Sequence, residues 1–203
     1  MRVAMALTFY LLVAVLQPSP SRIPVMPYVD HGACPFECCT YRDWTSDAAL
    51  SAMAGYEGTE AGKTIFRIAK GERVTGMTGV VMVTRPGVAR VVEPMSLDVY
   101  SRRFPQAPRE TVHFNRGDTI HLLTPLGEGA MSAWANGRLL EEIDTGEFRS
   151  RATVDHAPAY EWWAKVRNTH GRVGWVRMDG KSRTFSDVDA CGAPGPSARP
   201  RYR

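Results

Sequence analysis

The residues best equipped for chemistry are four cysteines and five histidines. Cys34, Cys38 and Cys39 form one short cluster, and Cys191 stands far downstream. With His31 the cluster reads H-x2-C-x3-C-C, which admits two chemistries. A structural zinc ion needs four converging Cys or His ligands, usually with paired C-x2-C spacing. That spacing is absent, and adjacent cysteines seldom both reach one ion, so His31, Cys34, Cys38 and Cys39 stand as an alternative metal set only. Disulfides are the leading reading, since an even cysteine count in an exported chain points to bridges. Four cysteines allow three pairings. A Cys38–Cys39 bridge between chain neighbours is strained, and each of the other two pairings includes one bridge spanning the mature fold. Closing so long a loop is worth ~4–5 kcal/mol in the chain-entropy account. A nucleophilic cysteine would need an activating base held beside it, and no such pair is apparent.

The histidines, at 31, 113, 121, 156 and 170, form no i, i+4 pair of the kind a helical metal site uses. His113 and His121 could meet across a hairpin. Glu141, Glu142 and Asp144 form a small acidic group, which reads as a solvated face. A hydrolase would have to assemble His121 with Glu128 or Glu141 from separate segments. No G-x-S-x-G, H-E-x-x-H or Walker sequence occurs. Gly76, Gly79 and Gly87 lie among strand-forming residues, so they are not a phosphate cradle. Arg102, Arg103 and Arg109 sit in a proline-containing stretch and read as a solvated charge run.

Composition bounds what these residues can do. The chain carries 25 Lys+Arg against 21 Asp+Glu, a net charge of +4, with 44% hydrophobic residues. That is enough apolar material for a core and too little excess charge for a nucleic-acid binder. Residues 1–21 read as a signal peptide: Arg2, then an apolar run Val3–Leu16 broken by Thr8, then Ser19 and Ser21 before a cut at Arg22. The run is shorter than the ~20 residues a membrane span needs; retention as an anchor is the other reading. The mature chain is expected outside the cytoplasm, periplasmic or extracellular, without stable membrane insertion once the signal is removed.

The elements that must position these residues are strands. Residues 22–61 look irregular, with one helical turn at Asp47–Met53; Tyr28, Phe36, Tyr41 and Trp44 read as packing residues. Strands are expected at Thr64–Ala69, Gly79–Thr84, Val88–Val92, Thr119–Thr124, Ala130–Ala135, Arg138–Ile143, Tyr160–Arg167 and Arg172–Arg177. Asn136-Gly137 between two of them is a strong hairpin signal. Residues 94–112, with three prolines, read as a long loop. Alternation along Tyr160–Arg167 sets Trp162, Ala164 and Val166 on one face and Trp163, Lys165 and Arg167 on the other. The domain reading is 22–61 as an irregular cysteine segment, 62–148 as a first β module, 149–191 as a second, and 192–203 as a disordered tail.

Trp162–Val176 (WWAKVRNTHGRVGWV) resembles the C-terminal half of bacterial SH3-like domains, which end in a W-x-K-V strand, a Gly-Arg turn and a G-W-V strand. Trp163, Lys165 and Val166 match the first strand, and Gly171, Arg172, Gly174, Trp175 and Val176 the turn and second strand. Gly174 allows close backbone approach, and Trp175 is large enough to fill a small core. His31–Trp44 also resembles the N-terminal motif of an uncharacterised group of exported bacterial proteins. The resemblance implies an all-β fold of one or two small SH3-like barrels with an irregular disulfide-linked N-terminal segment. It implies binding rather than catalysis: a non-catalytic, cofactor-free, monomeric envelope protein recognising cell-wall peptide or glycan, or another envelope protein. Tyr160 and Trp163 would line the groove, with Lys165 and Arg172 at its rim.

Overall fold

The computed structural model describes residues 23–148, 150–178 and 184–189. The signal-peptide reading, Cys191 and the expected tail lie outside the described residues. The chain opens with β1 (Tyr28–His31), β2 (Asp43–Ser46) and β3 (Leu50–Met53). A 3-10 turn at Gly58–Gly62 leads to β4 (Thr64–Ile68), and the long β5 (Arg73–Arg85) runs on into β6 (Gly87–Val91). Next come β7 (Met95–Tyr100), β8 (Glu110–Phe114), β9 (Thr119–Gly127), β10 (Ala130–Ala135) and β11 (Arg138–Asp144). A second 3-10 turn at Thr145–Glu147 precedes β12 (Ala152–His156); β13 (Ala159–Asn168), β14 (Val173–Met178) and β15 (Phe185–Ser186) complete the order.

These strands form two antiparallel sheets and an all-β, barrel-like fold in which a sheet curls into a half-barrel. The first sheet has the order β15-β2-β5-β13-β14-β3-β4, with β1 also on β5. The second has the order β12-β6-β9-β10-β11-β7-β8. All strands of the second sheet lie between β5 and β13 in sequence. The boundary drawn at 148/149 therefore does not follow the pairing: β12 belongs with β6, and β13 and β14 with β5 and β3.

One ribbon crosses between the sheets. β5 pairs with β13 from Val74↔Asn168 to Arg85↔Ala159. The pairing resumes as Val88↔His156 and continues to Val91↔Ala152. Pro86 and Pro158 mark the crossing, where neither can donate to a ladder. Gly87 makes the crossing possible, since a Cβ there would lie 2.8 Å from the Pro158 ring.

A bulge sets which side of β5 is buried. Thr78 faces Lys165 and Gly76 faces Val166, leaving Met77 without a partner on β13. One extra residue shifts the side-chain phase. Before the bulge Val74 and Gly76 face the core; after it Gly79, Val81 and Val83 do. The two inward glycines admit aromatics: a Cβ on Gly76 would lie 2.7 Å from the Trp44 ring, and one on Gly79 would collide with the Tyr41 hydroxyl. Trp44 is fully buried, packs against Phe185 and Tyr41, and donates its indole N–H to the Thr40 carbonyl. Burial pushes the Tyr41 hydroxyl up to about 12 although Trp162 donates to it; Tyr41 in turn donates to the Ala33 carbonyl.

The second sheet has its own core, including Leu97, Phe114, Ile120, Leu122, Leu140 and Ile143. Its other face meets the first core through Leu123, Trp134 and Leu139. Thus β9 and β10 are buried on both sides over much of their length, which accounts for apolar residues at successive positions such as Leu122-Leu123.

Several sequence expectations are corrected. Asp47–Met53 is not a helical turn; Leu50–Met53 is a strand paired with β4. Residues 22–61 hold three strands, each short and paired with a distant segment. Residues 94–112 are only in part a loop: β7 and the start of β8 bracket a loop at 101–109 that carries Arg102, Arg103 and Arg109. Met95 and Leu97 alternate into the second core, and the prolines lie outside the strands. Trp175 does not fill a core, because Gly174, Val176 and Met178 take the inward positions of β14. Gly174 does serve close approach, with a Cβ there 3.0 Å from both Ala52 and Ile65.

Cys34 and Cys39 are bridged, with Cα atoms 5.6 Å apart, and Cys38 is disulfide-bonded as well. The zinc alternative on His31, Cys34, Cys38 and Cys39 is thereby removed, since oxidised sulfur offers no thiolate.

Two outcomes follow. Chymotryptic cleavage after Phe36 should leave the fragment carrying Cys34 joined to the one carrying Cys39 until a reductant is added, read by peptide mass mapping. Gly76→Ala should lower stability by about 1–3 kcal/mol, the usual range for overpacking, read from the denaturant midpoint.

Candidate functional site

The β13–β14 hairpin supplies the centre of the candidate site. Residues opposite each other in a ladder share a face. On the side of the first sheet away from its core, one row runs His31, Val80, Trp163, Arg177 across β1, β5, β13 and β14. The next runs Thr78, Lys165, Trp175, Met53 across β5, β13, β14 and β3. A third holds Val29, Met82 and Glu161. This outer face gathers aromatic and charged groups on a rigid support.

Tyr56, just after β3, ties the rows together. Its ring stands edge-on to Trp175 at 4.7 Å and to His31 at 6.4 Å. Trp163 and Val80 lie beneath, 5% and 1% exposed. Trp175 is half-buried, and the Lys165 ammonium lies 5.7 Å from its ring centre. The Glu161 carboxylate accepts from the Trp163 indole at 3.1 Å and bridges Arg177 at 2.7 Å. It is occupied twice over and is poorly placed to act as a base. The face can stack flat surfaces and meet charge; it holds no nucleophile with a base beside it.

The structure brings together two of the four expected ligand residues. Trp163 and Lys165 share the outer face, though Trp163 serves as its floor. Tyr160 is 42% exposed and shares the parity of Trp162, so it projects from the opposite side of β13. Arg172 sits in the hairpin turn, its guanidinium 5.3 Å from the Phe66 ring of β4. The residues that sequence reasoning missed are His31, Tyr56 and Trp175. Alternation from Lys165 through the hairpin register would have found Trp175; His31 and Tyr56 arrive through long-range pairing that no local signal announces.

The groups considered for hydrolysis do not converge. His121 faces the first sheet beside Leu123, opposite Trp134; its Nδ1 has no hydrogen-bond partner, and burial lowers its pKa. Glu141 accepts from the Ser101 hydroxyl at 3.0 Å and the Arg102 amide at 2.8 Å, bonds that hold its pKa below the usual range. This carboxylate fastens the loop after β7, which also reaches the first sheet through Arg102 and the buried Asp30 at 2.7 Å. His113 bonds Ser96 at 2.7 Å. Among the described residues no cluster of three or more His, Cys, Asp or Glu side chains is arranged to hold a metal ion.

Glu128 meets a different partner. A Cβ on Gly127 would lie 2.5 Å from the Glu37 amide nitrogen, so the Cys34–Cys39 loop packs directly on the β9–β10 hairpin. At that seam the Glu37 and Glu128 carboxyls face each other, and the Glu128 charge raises the Glu37 pKa from its ordinary value, with Asp189 adding to it.

Comparison with protein-family models, with curated proteins and with solved structures returns no match.

The carboxyl pair has a pH consequence. Its folded-state proton is held more tightly than in the unfolded chain. The pair therefore favours folding at acid pH, and that advantage is lost as pH rises through the raised Glu37 value. Glu128→Gln should raise the urea midpoint near pH 8 and change it little near pH 4, the sign expected from this linkage. A variant that stabilises only in acid would contradict the pairing.

Proposed function

We propose that the chain is an exported, non-catalytic, SH3-like binding protein of the cell envelope, and that the outer face of its first sheet is the ligand surface. The observation that carries this reading is the in-register gathering of Trp163, Trp175 and Lys165 with His31 and Tyr56 on one rigid face. Half-buried aromatics beside charged groups suit a ligand with both flat apolar surfaces and polar substituents, as wall peptides and glycans have. The disulfides are consistent with an oxidising compartment. The apolar run Val3–Leu16 fits export, and among the described residues no helix is long and apolar enough to cross a membrane. The W-x-K-V and G-W-V segments, paired as β13 and β14, are the basis for the SH3-like assignment.

Co-sedimentation with purified cell wall tests the proposal. Wild-type protein is expected in the pellet. Trp175→Ala should weaken the association about tenfold, as truncating an aromatic anchor commonly does, in protein that circular dichroism shows to be fully folded under the assay conditions. Wild-type protein that stays in the supernatant, or a Trp175→Ala variant that pellets equally well, overturns it.

A further inference from the structure

The charges of the outer face do not balance. Its carboxylates are already engaged: Glu161 by Arg177 and the Trp163 indole, and Asp43, which lies beyond Thr75 in the row of Arg167, by Arg73 and the Thr75 hydroxyl. Lys165 and Arg167, two residues apart on β13 and therefore on the same face, have no carboxylate within salt-bridge distance among the described residues. Lys165 rests instead near the Trp175 ring, in an exposed cation–π contact of the weak kind that a better partner displaces. Arg167 is exposed and stands opposite Thr75 and Val173. Two uncompensated cations thus flank a half-buried indole.

We infer that the outer face takes an acidic glycan, a sugar chain bearing carboxylates, with a ring lying on Trp175 and carboxylates meeting Lys165 and Arg167. This rests on the reading of that face as the ligand surface and names the class of ligand. The flat apolar side of a sugar ring suits the indole. A carboxylate drawing Lys165 away would uncover the ring it now lies against, so charge recognition and stacking reinforce each other. A single-stranded nucleic acid also joins rings to negative charge, but it needs a series of open aromatic platforms along a basic groove. Here Trp163 is buried as the floor, Tyr56 is turned edge-on to Trp175, and the net charge is only +4.

The test is titration of the full chain with a galacturonate oligosaccharide and with its methyl-esterified counterpart of equal length, read by tryptophan fluorescence and calorimetry. The acid form should bind at least tenfold more tightly, as expected when charge-assisted hydrogen bonds are lost on esterification, and its affinity should fall with added salt. Lys165→Gln should weaken the acid form several-fold and leave the ester unchanged; Trp175→Ala should weaken both. Equal binding of acid and ester, unaffected by Lys165→Gln, overturns the acidic-glycan assignment while leaving the face as the site. Failure of both to bind, with wall association untouched by Trp175→Ala, overturns the face itself. Tighter binding of a single-stranded oligonucleotide than of the acid sugar also overturns the assignment.

Discussion

The two-stranded ribbon made by β5–β6 and β13–β12 is the constraint on which the rest of the molecule depends. Its first half lies inside the first sheet, where β5 and β13 are flanked on both sides by other strands. Its second half forms one edge of the second sheet, with β12 outermost. Because the register carries across Pro86 and Pro158, the two sheets cannot be set independently. A slip in one half would move every side chain of the other to the wrong face. The Met77 bulge is the single adjustment that lets β5 bury Val74 and Gly76 near one end and Val81 and Val83 near the other.

The ribbon brings the second sheet against the first, and the contact is made by β9, β10 and β11 at the centre of the second sheet. Leu122 and Leu123 are neighbours in β9 yet belong to different cores. The polar groups admitted at this seam are mostly tied down: the Thr124 amide donates to Ser132, and Asp30 holds Arg102. Burial, and next the Asp30 charge, raise the Tyr28 pKa, so its hydroxyl stays protonated beside that pair. An ion pair of this depth adds little net stability over an apolar one but penalises any arrangement that leaves a charge alone. That property fixes how the loop after β7 sits on the first sheet.

What could be read in the sequence was what is local. Ala130–Ala135 and Arg138–Ile143 were readable because Asn136-Gly137 joins them, and the β13–β14 hairpin because its strands alternate about a short turn. Strands β1, β2 and β3 were not readable. Each is only four residues long, and β1 and β2 owe their existence to an unfilled edge of β5 far along the chain. The face of Trp175 was misassigned for a related reason. Alternation separates the two faces of a hairpin but does not say which is the core, and an indole looks like core until Gly174 is seen to be the residue pressed against β3. The candidate site was half legible: Trp163 and Lys165 by alternation, His31 and Tyr56 not at all.

The crossing at Gly87 and Pro158 makes the second sheet an insertion whose two ends meet. Geometrically, a tight turn joining Arg85 to Ala159 would close β5 and β13 into an ordinary hairpin and restore a continuous smaller protein. Energetically it would not, because Leu123, Trp134 and Leu139 reach into the core of the host and would leave it open to water. The inserted segment is thus detachable by connectivity but not by packing. A recombined or truncated descendant of this chain could shed it only after the host core had been refilled with side chains of its own.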